Sequence, residues 1–327
     1  MPAPARRPPR AEAACTHPPP RRCANPSHFQ NVPTSNPCPS MPQAKLVYIL
    51  SLRNAAADQA GQFIDYRGGR RYMPSPLEYL AHALDTTPLG EAYSLEGIVF
   101  DDDPQSPRDR AALNGYGFAC TPGERWIFPH ELATQDRKLR DLLRPVPSEY
   151  RRLPLADPGR AAGKQAFEAA LQRTLESLEA DIVVLDGLLV ILDALVQPGA
   201  PFHRRIVNIH PGITRLESPY RRRGAHATLD ALHGACGERV TDWQRMATEP
   251  ATPILRTGAS LHYVDDGIDS GEVIYDVLGT PIDPADTILE LRWNNFHRSL
   301  FPALHQGLQL LAPHLSGAPP PASPFHP

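Results

Sequence analysis

"GKQAFEAALQRTLESLEADIVVL", Gly163 to Leu185, sets a helix and a strand end to end. Phe167, Leu171, Leu175 and Leu178 recur at helical spacing with charged residues between them, the pattern of a helix that buries one face. The period then disappears, and Asp181 to Leu185 reads as a buried strand. Downstream, "RIVNIH" (Arg205 to His210) is a further strand. Upstream, "KLVYILSL" (Lys45 to Leu52) is a buried first strand and "LEGIVF" (Leu95 to Phe100) a second. "MPSPLEYLAHAL" (Met73 to Leu84) reads as a helix with Leu77, Leu80 and Leu84 on one face. "ASLHYV" (Ala259 to Val264) and "EVIYDVL" (Glu272 to Leu278) form a strand pair around a turn containing Gly267 and Gly271. A last helix is predicted from Asp286 to Leu311, with Ile288, Leu291, Phe296, Leu300, Leu304 and Leu308 as its apolar stripe. Strands alternating with helices predict an α/β fold, a mostly parallel sheet with helices on both faces.

The chain has 327 residues, 41% of them hydrophobic, enough to bury a sizeable core. Its longest apolar run, Asp181 to Val196, is interrupted by Asp186, Gly187 and Asp193, so no membrane span is expected. Residues 1–40 differ in kind. They hold eleven prolines, five arginines and a single acid, Glu12, with no apolar periodicity. Such a stretch cannot bury enough surface to offset its ordering entropy, and it is expected to be a disordered extension. The body is then expected at 41–313, with Met41 as the true start, and residues 314–327 as a flexible Pro-rich tail. Subtracting the extension from totals of 33 basic and 36 acidic residues leaves a body seven charges net negative. That sign gives no general pull on nucleic acid. The five cysteines, Cys15, Cys23, Cys38, Cys120 and Cys236, form no C-x-x-C pair and no disulfide framework, which points to a reducing, cytoplasmic setting. A zinc site with His17 and His28 in the extension is outweighed by unpaired thiols, because the spacing is irregular.

The chemistry gathers at a strand end, where α/β folds place their ligands. Asn208 and His210 sit two apart on the strand Arg205 to His210, so they share one face, and Pro211-Gly212 stops the strand at once. A lone histidine there is more often a satisfied structural residue than a catalytic one. The second element shifts the balance. "YVDDGIDSGEVI" (Tyr263 to Ile274) puts Asp269 in a loop whose Gly267 and Gly271 allow close approach to a neighbour. An amide and an imidazole can donate to an oxyanion as it forms, and a carboxylate can hold the imidazole and help move a proton. No Ser or Cys nucleophile is needed when the attacking group is the substrate's own amine.

The order "DIVVLDGLLVIL", "IVNIHPG", "GAHATLDAL", "TGASLHYVDDGIDSGEVI" resembles the 10-formyltetrahydrofolate-dependent formyltransferase family. The resemblance implies a Rossmann-like sheet with Asn208, His210 and Asp269 as the catalytic residues. It also implies 10-formyltetrahydrofolate as the formyl donor, no metal, and a small-molecule amine as the other substrate. The folate pteridine is then expected along Leu189, Val190, Ile191 and Leu192, bonding to their backbone, with the Asp265-Asp266 loop closing over it.

Departures narrow the choice. The ribonucleotide-formylating members carry a Gly-rich turn after the first strand that cradles phosphate. Here "SLRNAAADQAG" (Ser51 to Gly61) has no glycine before Gly61. The tRNA-formylating members continue into a basic C-terminal domain, whereas this body is acidic. The formyltetrahydrofolate hydrolases carry a regulatory domain in front, which forty Pro-rich residues cannot form. "LVYILSLRNAAADQAGQFIDYRG" with "PSPLEYL" is similar instead to the hydroxyornithine formyltransferases of pyoverdine-type and ornibactin-type siderophore synthesis. The expected reaction is therefore formyl transfer to the N-hydroxy amine of hydroxyornithine. The alternatives are a sugar amine or glycinamide ribonucleotide as acceptor, or a folate-binding protein without turnover.

Arg53, Asn54, Asp58 and Gln59 follow the first strand, where a substrate amino acid could sit; helix capping explains them almost as well. The arginines of "YRRRGAH" (Tyr220 to His226) could meet a folate glutamate tail or a substrate carboxylate. His226, His233 and His262 are equally arguable additions to the site. "DDD" (Asp101 to Asp103) is read as a solvated turn rather than a Mg²⁺ site.

Overall fold

The structure is a computed structural model and describes residues 42–52, 57–103, 105–107 and 131–315. The Pro-rich extension, the tail from 316 on, and the candidates Arg53 and Asn54 lie outside these residues.

Seven strands form one sheet: β1 (Ala44–Leu50), β2 (Tyr93–Asp102), β3 (Leu143–Pro147), β4 (Ile182–Asp186), β5 (Ile206–His210), β6 (Arg256–Tyr263) and β7 (Val273–Pro281). Their order is β7-β6-β5-β4-β1-β2-β3. The five strands from β5 to β3 run parallel, while β6 is antiparallel to both β5 and β7. From β1 the chain moves outward to β2 and β3, then returns to β4 on the other side of β1. The order thus reverses between β1 and β4, and a crevice opens there at the carboxyl ends of the strands.

Alternation along the strands divides the core into two layers. Leu46, Tyr48 and Leu50 of β1, with Val184, Val207, Ile209 and Leu261, face helices α1 (Pro76–Thr86) and α5 (Phe301–Leu315). Val47 and Ile49, with Val183, Leu185 and Ile206, face α2 (Gly159–Ser177) through its Phe167, Leu171 and Leu175. Each such side chain contributes about 1.5–3 kcal/mol when fully buried. The continuous apolar run of β1 is what a strand covered on both faces requires.

Some boundaries differ from the sequence reading. Helix α1 starts at Pro76, because Ser75 and Glu78 make a reciprocal cap and Pro76 fits the first turn. Met73 instead ends a hairpin strand, Gly69–Met73, paired with Gln62–Tyr66. Arg67 and Gly68 turn that hairpin, both at positive φ as a two-residue turn of this hand needs. Beyond α3 (Ala227–Ala235), the last predicted helix is two helices, α4 (Ile288–Asn295) and α5, with Phe296–Leu300 between them wound as a π turn. Strand β3 carries Pro145 and Pro147 and gave no strand signal; it is tolerated because it lies at the sheet edge. Among the described residues no helix is long and apolar enough to cross a membrane.

Candidate active site

Antiparallel pairing of β6 with β5 builds the polar cluster. The register sets His262 directly opposite Asn208 and Ser260 opposite His210, on the face that α2 covers elsewhere. The loop between β6 and β7 then brings Asp269 in from the side. Asp269 has φ of 47°, a left-handed conformation that aims its carboxylate inward, and Gly271 packs so closely on the Tyr263 carbonyl that no side chain would fit there. The sequence motif Asn208, His210, Asp269 is thereby brought together, and His262 joins it.

The geometry is specific. The Asn208 amide Nδ2 donates to Asp269 Oδ1 at 3.1 Å and lies 3.3 Å from His262 Nε2. His262 Nδ1 lies 2.8 Å from the Tyr263 carbonyl oxygen. That oxygen can only accept, so Nδ1 carries the proton and Nε2 accepts from Asn208. His210 Nε2 likewise donates to the Arg222 carbonyl at 3.0 Å, which leaves Nδ1 facing Asp269 Oδ2 at 3.4 Å. The second Asp269 oxygen also accepts from the Gly224 N–H at 2.7 Å. His210 is 5% exposed and His262 2%.

Charge follows from these contacts. Burial would raise the Asp269 pKa, but His262, His210 and the Gly224 N–H together hold it well below the usual carboxylate range. Burial pushes His210 down, with the attraction of Asp269 opposing it. Asp269 is a fixed anion. His210 is a buried base that becomes a cation only at the nitrogen turned toward that anion.

The cluster sits in a cavity of about 470 Å³. Leu189, Val190 and Ile191 line it together with Asp265, Gly267 and Ile268. Leu189 is 53% exposed and Ile268 63%, an open apolar shelf of the kind that receives a flat ring system. Of the residues expected along the folate, Leu192 does not line the cavity. It is fully buried in the core beneath, at the start of the turn Asp193–Val196. Asp266 points to solvent, while Asp265 ties its own loop by accepting from Gly267 N–H and Ser270 Oγ. The Val190 N–H is taken by the Leu188 carbonyl at 2.9 Å. On the acceptor side Asp58 lines the cavity and Gln59 does not.

The remaining candidates are engaged elsewhere. His226 stacks on Trp243, and His233 bonds Glu238. The arginines of the Tyr220 to His226 segment hold their own loop: Arg222 pairs with Asp230 at 3.1 Å, and Arg223 donates twice to the Thr214 carbonyl. Asp101 pairs with Arg151, and Asp103 with Arg152 at 2.9 Å. Among the described residues no group of three or more His, Cys, Asp or Glu side chains is arranged to hold a metal. Asp186 and Arg292, which the sequence reading passed over, line the cavity beside Asp58. In the sequence Asp186 interrupts an apolar run, and Arg292 falls in the last predicted helix outside its apolar stripe.

An amide, an imidazole and an anchored carboxylate thus meet at the carboxyl edge of a parallel sheet, and the chain belongs to the formyl transferase family. That family's model matches residues 141–302. The chain is 59% identical to the solved structure of PvdF of pyoverdin biosynthesis, a structurally unique N10-formyltetrahydrofolate-dependent formyltransferase. That match has a TM-score of 0.78 and covers 83% of this chain and 99% of PvdF. It is also 29% identical over 129 residues to the trifunctional purine biosynthetic protein adenosine-3 of Drosophila melanogaster, covering 38% of this chain and 7% of that much longer protein.

Proposed function

We propose that this formyltransferase moves the formyl group of 10-formyltetrahydrofolate to the side-chain N-hydroxy amine of hydroxyornithine, in siderophore biosynthesis. The observation that carries the reading is the 59% identity to PvdF across nearly all of that chain, with Asn208, His210 and Asp269 assembled in one cavity. The apolar shelf of Leu189, Val190 and Ile191 suits the folate ring. The cytoplasmic setting is part of this reading, as the cysteine spacing implies.

The amine nitrogen attacks the formyl carbon, and the carbonyl oxygen takes up negative charge. Asn208 meets that charge by giving up its long contact to His262 for a shorter bond to the oxyanion. Collapse of the intermediate expels the folate nitrogen, which needs a proton as the attacking nitrogen loses one. The His210–Asp269 pair can hold that proton between the two events. It resides on Nδ1, because Nε2 already carries the proton donated to Arg222. Hydroxylation lowers the basicity of the attacking nitrogen, so it arrives neutral and nucleophilic.

Incubating the purified enzyme with hydroxyornithine and 10-formyltetrahydrofolate, and following product by mass spectrometry, tests this directly. The proposal predicts N-formylated hydroxyornithine that disappears when the folate donor is omitted. Binding of the folate with no product from any amine would instead mark a folate-binding protein without turnover.

A further inference from the structure

The mechanism uses one side of the cavity. On the opposite face of the sheet, three charged side chains among the described residues line the same space: Asp58, Asp186 and Arg292. Asp186 is the last residue of β4 and stands level with Leu50 of β1. Tyr48, two residues back on that face and fully buried, donates its hydroxyl to Asp186 Oδ2 at 2.8 Å. Arg292 reaches in from α4. Its Nη1 donates to Asp58 Oδ1 at 2.6 Å and to the Ala57 carbonyl at 3.1 Å. Asp58, of the same sign, raises the pKa of Asp186, and among the described residues no Lys or Arg forms an ion pair with Asp186. Two carboxylates close together in a partly dry cleft are costly as anions until a cation arrives.

We propose that Asp186 anchors the α-ammonium of the acceptor amino acid, while Arg292, held by Asp58, receives its α-carboxylate. This rests on the acceptor being an amino acid with a side-chain hydroxylamine. The register supplies the reach. Leu185 pairs with Asn208, so Asp186 lies at the sheet edge one strand away from the catalytic amide. Neighbouring strands are ~4.8 Å apart. The methylenes of an ornithine chain can cross that spacing and turn the far nitrogen over the edge toward Asn208 and His210. Tyr48 is a positioning residue that fixes one Asp186 oxygen and leaves the other toward the cavity.

The test compares hydroxyornithine with its analogue lacking the α-amino group, using the wild-type enzyme, Asp186→Asn and Tyr48→Phe. A hydrogen bond to a charged group sets the expected effect. Asp186→Asn should raise KM for hydroxyornithine about 10- to 100-fold, with kcat and the KM for the folate donor unchanged. The α-deamino analogue should be a poor substrate for wild type and no poorer for the variant. Tyr48→Phe, which keeps the carboxylate but frees it, should give a smaller rise in the same KM. If wild type formylates hydroxyornithine but Asp186→Asn leaves its KM unaltered, or weakens both substrates alike, the anchor is refuted while the acceptor assignment stands. If wild type formylates neither compound, the acceptor assignment falls and the anchor with it.

Discussion

Asp269 and Asp186 stand at the carboxyl edge of one sheet, in one cavity, and their environments push them in opposite directions. Asp269 accepts from the Gly224 N–H and the Asn208 amide, and with His210 and His262 beside it the carboxylate is held anionic, well below the usual carboxylate range. Among the described residues Asp186 has only the Tyr48 hydroxyl against burial and the neighbouring charge of Asp58, and its pKa is pushed up to about 7. Burial disfavours both anions, so the number of donors decides which one wins. A carboxylate with its donors already in place is finished machinery. One that lacks them is waiting for a ligand to supply them.

The largest expected effect lies on the Asp269 side. Asp269→Asn keeps the shape and removes the charge, and turnover should fall by about 10²–10³, as for other preorganised electrostatic partners. Folate binding, measured separately by titration, should persist because Asp269 does not form the apolar shelf. Near-normal turnover in this variant would remove the distinction between the two aspartates.

A second, smaller effect concerns what holds His210. A Cβ on Gly212 would come within 2.6 Å of the Arg222 carbonyl oxygen and 3.2 Å of His210 Nε2. Gly212→Ala should therefore displace the acceptor that fixes the His210 proton. A cost of about 1–3 kcal/mol in stability is expected from overpacking, with kcat lowered and the folate KM unchanged. Thermal melts together with steady-state kinetics separate the two effects, and an unchanged kcat would mean the Arg222 contact does not orient the imidazole.

The Asp186 side can be sharpened through pH. Its folded pKa lies above its unfolded value, so between about pH 4 and 7 the native state binds more protons and this group's contribution to stability falls as pH rises. Asp186→Asn should accordingly be more stable than wild type at pH 8 and equal to it near pH 4. Because the carboxylate is partly open to the cavity, the difference should be about 1 kcal/mol. Denaturant melts at the two pH values measure it, and a variant less stable than wild type at pH 8 would mean that Asp186 is already satisfied. The zero of the scale is the segment farthest in character from either carboxylate. Removing residues 1–40 should change neither activity nor melting temperature, and a loss in either would make that segment part of the fold.

The fold was readable wherever one period dominated. The stripe Phe167, Leu171, Leu175 and Leu178 and the continuous runs of β1 and β4 announced helices and buried strands because burial enforces those spacings. Edges were harder. Strand β3 hides behind two prolines, and the hairpin Gln62–Met73 is polar on one side, so neither carries a core pattern. The π turn at Phe296–Leu300 keeps the apolar stripe while changing the winding, which spacing alone does not reveal. At the site, Asn208, His210 and Asp269 were legible from motif and glycine placement. His262 joins them through the β5–β6 register, and Asp186 meets Asp58 only across a switch in strand order. Contacts between strands distant in sequence leave no local signal. Leu192 shows the converse: adjacency to cavity residues in sequence did not keep its side chain out of the core.

The most direct measurement sets acceptors side by side. Wild-type enzyme with 10-formyltetrahydrofolate is offered hydroxyornithine, ornithine and glycinamide ribonucleotide, and kcat/KM is determined for each. A site built around a substrate hydroxyl can reject the analogue lacking it by about 10⁴–10⁵. Hydroxyornithine should be formylated best, ornithine far more slowly, and the ribonucleotide poorly, since the turn after β1 lacks the glycines of a phosphate cradle. Preferential turnover of the ribonucleotide, or of a sugar amine when none of the three reacts, would contradict the assigned acceptor and leave the chain a formyltransferase of another substrate.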